Sequence, residues 1–107
     1  MRVYLSGPIT GVKDFKKKFK YYQEKLEEHG YDVVNPAKLG GILPEDFSHA
    51  DFMTICIALL NTCDAIYFMP GTERSAGAQS ERIYAAAMNK PDITGPCRIE
   101  PMPKAYK

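Results

Sequence analysis

Two short glycine-bearing segments hold the residue types from which a reactive site can be built: Ser6-Gly7-Pro8-Ile9-Thr10-Gly11, and Pro70 to Gly77 with Glu81 just beyond it. Glycine lets a ligand approach the backbone closely, and exposed amides in such a loop suit a phosphate or a sugar. The first segment has neither the G-x-G-x-x-G spacing of dinucleotide sites nor the G-x-x-x-x-G-K-[ST] spacing of nucleoside triphosphatases, so a plain turn stands beside the ligand loop as a reading. In the second segment, Ser75-Ala76-Gly77-Ala78 precedes a helical pattern. Free amides and the helix dipole can hold an anion there. Arg74 can pair with a phosphate or be a solvated loop residue. The Glu81 carboxylate either points back toward the strand ends as a reactive group or complements the helix dipole.

The other chemically capable residues offer less. Cys56, Cys63 and Cys97 lack metal-ligand spacing, and Cys56 and Cys63 stand seven apart in an apolar helical pattern. That pattern predicts buried thiols in a reducing compartment. His29 closes one helical pattern and His49 opens another. Both read as surface residues, and His49 is the better functional candidate because its loop can fold over a site. No His/Cys/Asp cluster indicates a metal, and no cofactor is expected. Lys16, Lys17, Lys18 and Lys20 sit in one predicted helix beside Glu24, Glu27 and Glu28 and read as a solvated helix face rather than a phosphate patch. A net charge of +1 gives no electrostatic footprint for nucleic acid or an anionic membrane. With no signal-like opening and no apolar run of membrane-spanning length, the expected location is the cytoplasm.

These residues need a scaffold, and the pattern predicts one. Arg2–Ser6 reads as a strand ended by Gly7-Pro8. Phe15, Phe19, Tyr22 and Leu26 form one apolar helix stripe at steps of four, three and four, with Gly30 placed to stop it. Tyr31–Val34 is a second strand, and residues 37–47 form a loop with one short turn. Ser48 with Asp51 makes a variant capping box for a helix whose buried face holds Met53, Ile57 and Leu60, beside Cys56. Ala65–Met69, apolar throughout, is a strand covered on both faces. The following helix starts at Ser75 or Gln79 and is expected to turn Ile83, Ala86 and Ala87 inward. Pro91–Thr94 is a short fourth strand, and the Pro-rich end is extended. Alternating strands and helices imply a parallel sheet with right-handed crossovers, so the two loops fall beyond the carboxyl ends of strands, where ligands bind in such sheets. The 107 residues, 45% hydrophobic and 25% charged, fit one domain over 1–107 whose small core favours oligomerisation.

The strings V-Y-L-S-G-P-I-T-G at 3–11, C-D-A-I-Y-F-M-P-G at 63–71 and S-A-G-A-Q-S-E at 75–81 together resemble the nucleoside 2-deoxyribosyltransferase-like family. The likeness is nearest to its small phage and bacterial branch and more distant to the deoxynucleoside 5′-monophosphate N-glycosidases. It implies a flavodoxin-like three-layer α/β sandwich with a small parallel sheet of about four to five strands. It also implies cleavage of the bond between a 2-deoxyribose and its base. By this resemblance Glu81 is the nucleophile, forming a glycosyl-enzyme that water or a second base resolves, and Tyr4 positions it. Ser6, Gly7, Pro8, Ile9, Arg74, Ser75 and Gly77 are the substrate-binding positions. Ser75 matches a serine that contacts the 5′-phosphate, which favours a phosphorylated ligand.

One position departs from the family. Its aspartate that assists leaving-group departure, eight residues before Asp64, is Cys56 in this chain. A neutral thiol donates only weakly, and loss of general-acid help typically lowers rates by about 10² to 10⁴. Asp51 lies more than a turn away, and Asp64 reads as the cap of its strand. The leading reading is thus N-glycosidic cleavage or transfer on a (2-deoxy)nucleotide or nucleoside. The alternative is a weak or inactive nucleotide-binding module. Cleavage of a ribosyl cofactor such as NAD is a third, by fold-level analogy. The resemblance also implies a homodimer or higher oligomer, with Arg98, Lys104 and Tyr106 of the tail able to reach a neighbour.

Overall fold

The computed structural model describes residues 1–106. Three strands, β1 (Arg2–Ser6), β2 (Asp32–Val34) and β3 (Ala65–Phe68), form a parallel sheet in the order β2-β1-β3. Val3 pairs with Val33 on one side and with Ala65 on the other. Between the strands run the helices α1 (Phe15–Glu28), α2 (His49–Asn61) and α3 (Ala76–Ala87). Short 3-10 turns cover Pro36–Gly41 and Thr72–Arg74. At the position of the expected fourth strand a single bridge joins Ile66 to Asp92. The described sheet therefore has three strands, one to two fewer than the family resemblance implies, within the same α/β layering.

Successive side chains of a strand point to opposite faces, and this alternation divides the core in two. Val3, Leu5, Ala65, Tyr67 and Met69 face α1, where Phe19, Tyr22 and Leu26 cover them. Tyr4, Ile66 and Phe68 face the other way, onto Cys56 and Leu60 of α2 and Ala85 of α3. Ser6 lies two residues after Tyr4 and shares its face, which places two hydroxyls on one side of β1 near its carboxyl end.

Local signals set the helix ends. At the end of α1 the amide of Gly30 (φ 91°) donates to the Glu27 carbonyl and that of Tyr31 to the Leu26 carbonyl, a Schellman arrangement that requires the left-handed region at residue 30. At the start of α2 the Asp51 amide donates to Ser48 Oγ and the Ser48 amide to Asp51 Oδ2, completing the capping box. Asp64 Oδ2 accepts from the Arg2 amide at the edge of β1, a capping role.

Helix α3 departs from the sequence reading. Its buried stripe is Ala78, Glu81 and Ala85, whereas Ile83 is 72% exposed and Ala86 and Ala87 also face solvent. The inward face is defined by a carboxylate between two small residues, so hydrophobicity pointed to the wrong side. The tail, without helix or strand, runs back over α1 of its own chain: Cys97, Ile99, Met102 and Tyr106 pack on the α1-side core. Tyr21 Oη donates to the Glu100 carbonyl, and Tyr106 Oη donates to Glu24.

Candidate functional site

Glu81 is 5% exposed, yet no cation among the described residues forms an ion pair with it. The ion pairs among the described residues are Lys20–Glu24, Lys25–Glu28 and Arg82–Asp92. Two hydroxyls from β1 hold the carboxylate instead. Tyr4 Oη donates to Oε2, and Ser6 Oγ donates to Oε1 over 2.7 Å. The strand supplies both donors through its alternation, and α3 supplies the acceptor through the step from Ala78 to Glu81. Burial raises the Glu81 carboxyl above its ordinary value, and the hydrogen bonds from Tyr4 and Ser6 pull it partly back. Burial, together with the nearby Glu81 charge, drives the Tyr4 hydroxyl far upward, so it remains a proton donor at every ordinary pH.

Cys56 of α2 borders this pair. Burial pushes its thiol up to about 11, opposed by a contribution from Tyr4 and reinforced by the Glu81 charge. At neutral pH it is an uncharged, 1% exposed group beside the carboxylate. Asp51, the nearest aspartate earlier on α2, is exposed and committed to the capping box, so it does not replace a carboxylate at position 56.

Glu81, Tyr4 and Cys56 line a cleft of about 840 Å³. Its walls come from the loop after β1 (Gly7–Thr10), the segment 43–49 before and into α2, and the start of α3. Of the positions expected to bind substrate, Gly7, Pro8, Ile9, Arg74, Ser75 and Gly77 all line it. Ser6 does not: it is fully buried, with its hydroxyl committed to Glu81. That geometry fits a positioning role rather than contact with a ligand.

The glycines have structural reasons of their own. A Cβ on Gly7 would lie 2.8 Å from Met69 Sδ and 3.1 Å from Phe19, so the core behind the loop excludes a side chain. A Cβ on Gly77 would lie 3.1 Å from Met53 Sδ and 3.7 Å from His49, where α2 and α3 meet. Ser75 Oγ caps α3 by accepting from the Ala78 amide, leaving the Ala76 and Gly77 amides without a protein partner among the described residues.

Sequence reading missed Phe47, Phe52 and Glu45, which also line the cleft. Phe52 follows the capping serine by four positions and Phe47 precedes it by one. That is the spacing at which a staple flanks a helix start, and it was the available signal that this segment is a wall. His49 lines the cleft as well, whereas His29 Nδ1 donates to the Lys25 carbonyl, away from it. No group of three potential metal ligands occurs among the described residues, and no described helix is long and apolar enough to cross a membrane.

A parallel three-layer α/β domain with a cleft beyond its strand ends is a flavodoxin-like fold, one that a nucleoside deoxyribosyltransferase also adopts. A solved 2-deoxyribosyltransferase from the psychrotolerant bacterium Bacillus psychrosaccharolyticus superposes with a TM-score of 0.68 at 16% identity, over 94% of this chain and 77% of that one. The chain belongs to the family described as a domain of unknown function, DUF4406, whose model matches residues 1–94. No curated protein matches the sequence.

Proposed function

We propose that this single domain cleaves or transfers the N-glycosidic bond of a (2-deoxy)nucleoside or nucleotide, with Glu81 as nucleophile. The observation that carries the reading is the buried Glu81 carboxylate, held by Tyr4 and Ser6 where α3 meets the carboxyl end of β1 and facing a cleft. Its Oε atom attacks the anomeric carbon while the bond to the base breaks, giving a glycosyl ester. Water resolves the ester in a hydrolysis, and a second base resolves it in a transfer. Tyr4 keeps the carboxylate oriented and never competes for its charge. Arg74 and the unpaired amides of Ala76 and Gly77 support a phosphorylated ligand, since they set a cation and a helix N-terminus at one end of the cleft. The domain works as a homodimer or higher oligomer in a reducing compartment, in keeping with its small core and its three free, buried cysteines.

A second reading, a nucleotide-binding module without turnover, is favoured by one observation: a neutral thiol, Cys56, lies beside Glu81 where catalysis of this kind uses a second carboxylate.

The test is mass spectrometry of reactions with the four deoxynucleoside 5′-monophosphates and their nucleosides, with and without an added base. Wild type and Glu81→Gln are run together. Free base from wild type alone is the expected result, and a new nucleoside with added base identifies transfer. Turnover retained by Glu81→Gln removes Glu81 as nucleophile. Saturable binding shown by thermal shift, with no product, selects the binding module.

A further inference from the structure

We propose that the cleft is matched to N-glycosides of cationic heteroaromatic bases, which depart without being protonated; this rests on Glu81 acting as the nucleophile. Three observations lead there. The first is the charge state of the floor. Glu81 is a buried carboxylate satisfied only by two neutral hydroxyls, with no lysine or arginine paired to it. A buried anion without a counter-charge attracts a cationic ligand.

The second is the lack of a proton donor at depth. The buried hydroxyl and thiol side chains set against the nucleophile are Tyr4, Ser6 and Cys56. The two hydroxyls already give their protons to Glu81, and burial holds the thiol neutral and weakly acidic. The other titratable residues of the cleft, Glu45, His49 and Arg74, are solvent-exposed. His49 and Arg74 stand at the α3 N-terminus, by Gly77 and Ser75. The third is the wall. Phe47 and Phe52 are among the cleft's lining residues, and aromatic faces bind cationic rings more strongly than neutral ones.

The chemistry balances without an acid. Glu81 attacks C1′, and the C1′–N bond breaks with its electron pair passing to the positively charged ring nitrogen. The base leaves as a neutral molecule. Water then attacks C1′, the ester bond breaks, its electron pair returns to Glu81, and one proton goes to solvent. A neutral purine on the same path leaves as an anion unless a group protonates it, and no buried group here is free to do so.

The probes are 7-methylguanosine and 7-methyl-2′-deoxyguanosine beside guanosine and 2′-deoxyguanosine, with enzyme-free rates subtracted and released base quantified. Wild type should cleave the methylated member of a pair with kcat/KM at least about 10²-fold higher. Cys56→Asp, shown folded by circular dichroism, should narrow that ratio at least tenfold by accelerating the neutral member, within the range a general acid supplies. If the variant fails to fold, the wild-type ratio alone decides. Equal turnover of both members by wild type overturns the inference and leaves Glu81 chemistry standing, as does an unchanged ratio in a folded Cys56→Asp. Release of base from neither member overturns the inference, while the proposed activity stands or falls separately on the deoxynucleoside 5′-monophosphate panel.

Discussion

Glu81 is buried where a charge is disfavoured, and this couples the proposed attack to stability. Burial raises its carboxyl above the ordinary value, and the two hydroxyl donors only partly oppose the rise. For an acid whose folded value lies above its unfolded value, the contribution to stability is complete below the unfolded value, about 4.3 for glutamate. It is lost as pH rises through the folded value. The ionised form, which the proposed attack requires, is thus the one the fold tolerates least. Glu81→Gln keeps nearly the same shape and removes the ionisation. Thermal melts should show the variant a few degrees more stable than wild type at pH 7 to 8, with the gap closing toward pH 4. Any activity should be lost with the same change. A variant less stable than wild type at neutral pH would show that the carboxylate's hydrogen bonds outweigh its desolvation. Turnover by wild type should fall as acid protonates Glu81, with the acid limb above the ordinary carboxylate range. Tyr4→Phe, which removes one of the donors holding the carboxyl down, should move that limb higher.

At the scale of elements, the parts of the site were unequally legible. Strand β1 was plain from its residues, and its alternation alone puts Tyr4 and Ser6 on a common face. The α1 stripe and the Gly30 stop were legible because apolar spacing and backbone conformation pointed the same way. The inward face of α3 was not. Its central residue is Glu81, and a hydrophobic pattern cannot register a buried carboxylate whose partners lie 75 and 77 positions away in sequence. The wall at 43–49 was hidden for a related reason: it has no period, and it becomes a wall only where the α2 cap fixes the chain. That cap is testable. Ser48 Oγ accepts from the Asp51 amide at 3.0 Å, so Ser48→Ala should cost about 1 kcal/mol. For a domain of this size the loss lowers Tm by roughly 4–8 °C. Because Ser48, His49 and Phe52 all line the cleft, the same change should weaken nucleotide binding measured calorimetrically below the melting range. Ser48→Asp, which can cap in the same way, should restore both.

For the whole molecule, the sheet separates the work of its two faces. The α2–α3 side holds Glu81 and the cleft, while the α1 side is closed by the chain's own tail. Tyr106 stacks edge-on against Tyr21, with ring centroids 5.0 Å apart at 83°, and its hydroxyl donates to Glu24 Oε1 at 2.7 Å. None of the tail residues lines the cleft. An aromatic pair contributes about 0.5–1.5 kcal/mol beyond area burial, and a net hydrogen bond about the same. Tyr106→Ala should therefore destabilise the protein by about 1–3 kcal/mol, read as a drop in Tm of roughly 5–20 °C. Tyr106→Phe keeps the ring pair and loses only the hydrogen bond, so it should show about half of that drop. Changes at well-separated sites add, so ligand affinity measured well below the melting range should match wild type in both variants. The increment from Glu81→Gln should be the same in the Tyr106→Ala background as in wild type. A loss of affinity in Tyr106→Ala, or non-additive melting of the double variant, would mean that the tail and the cleft communicate through the sheet, and the two faces would then have to be treated as one cooperative site.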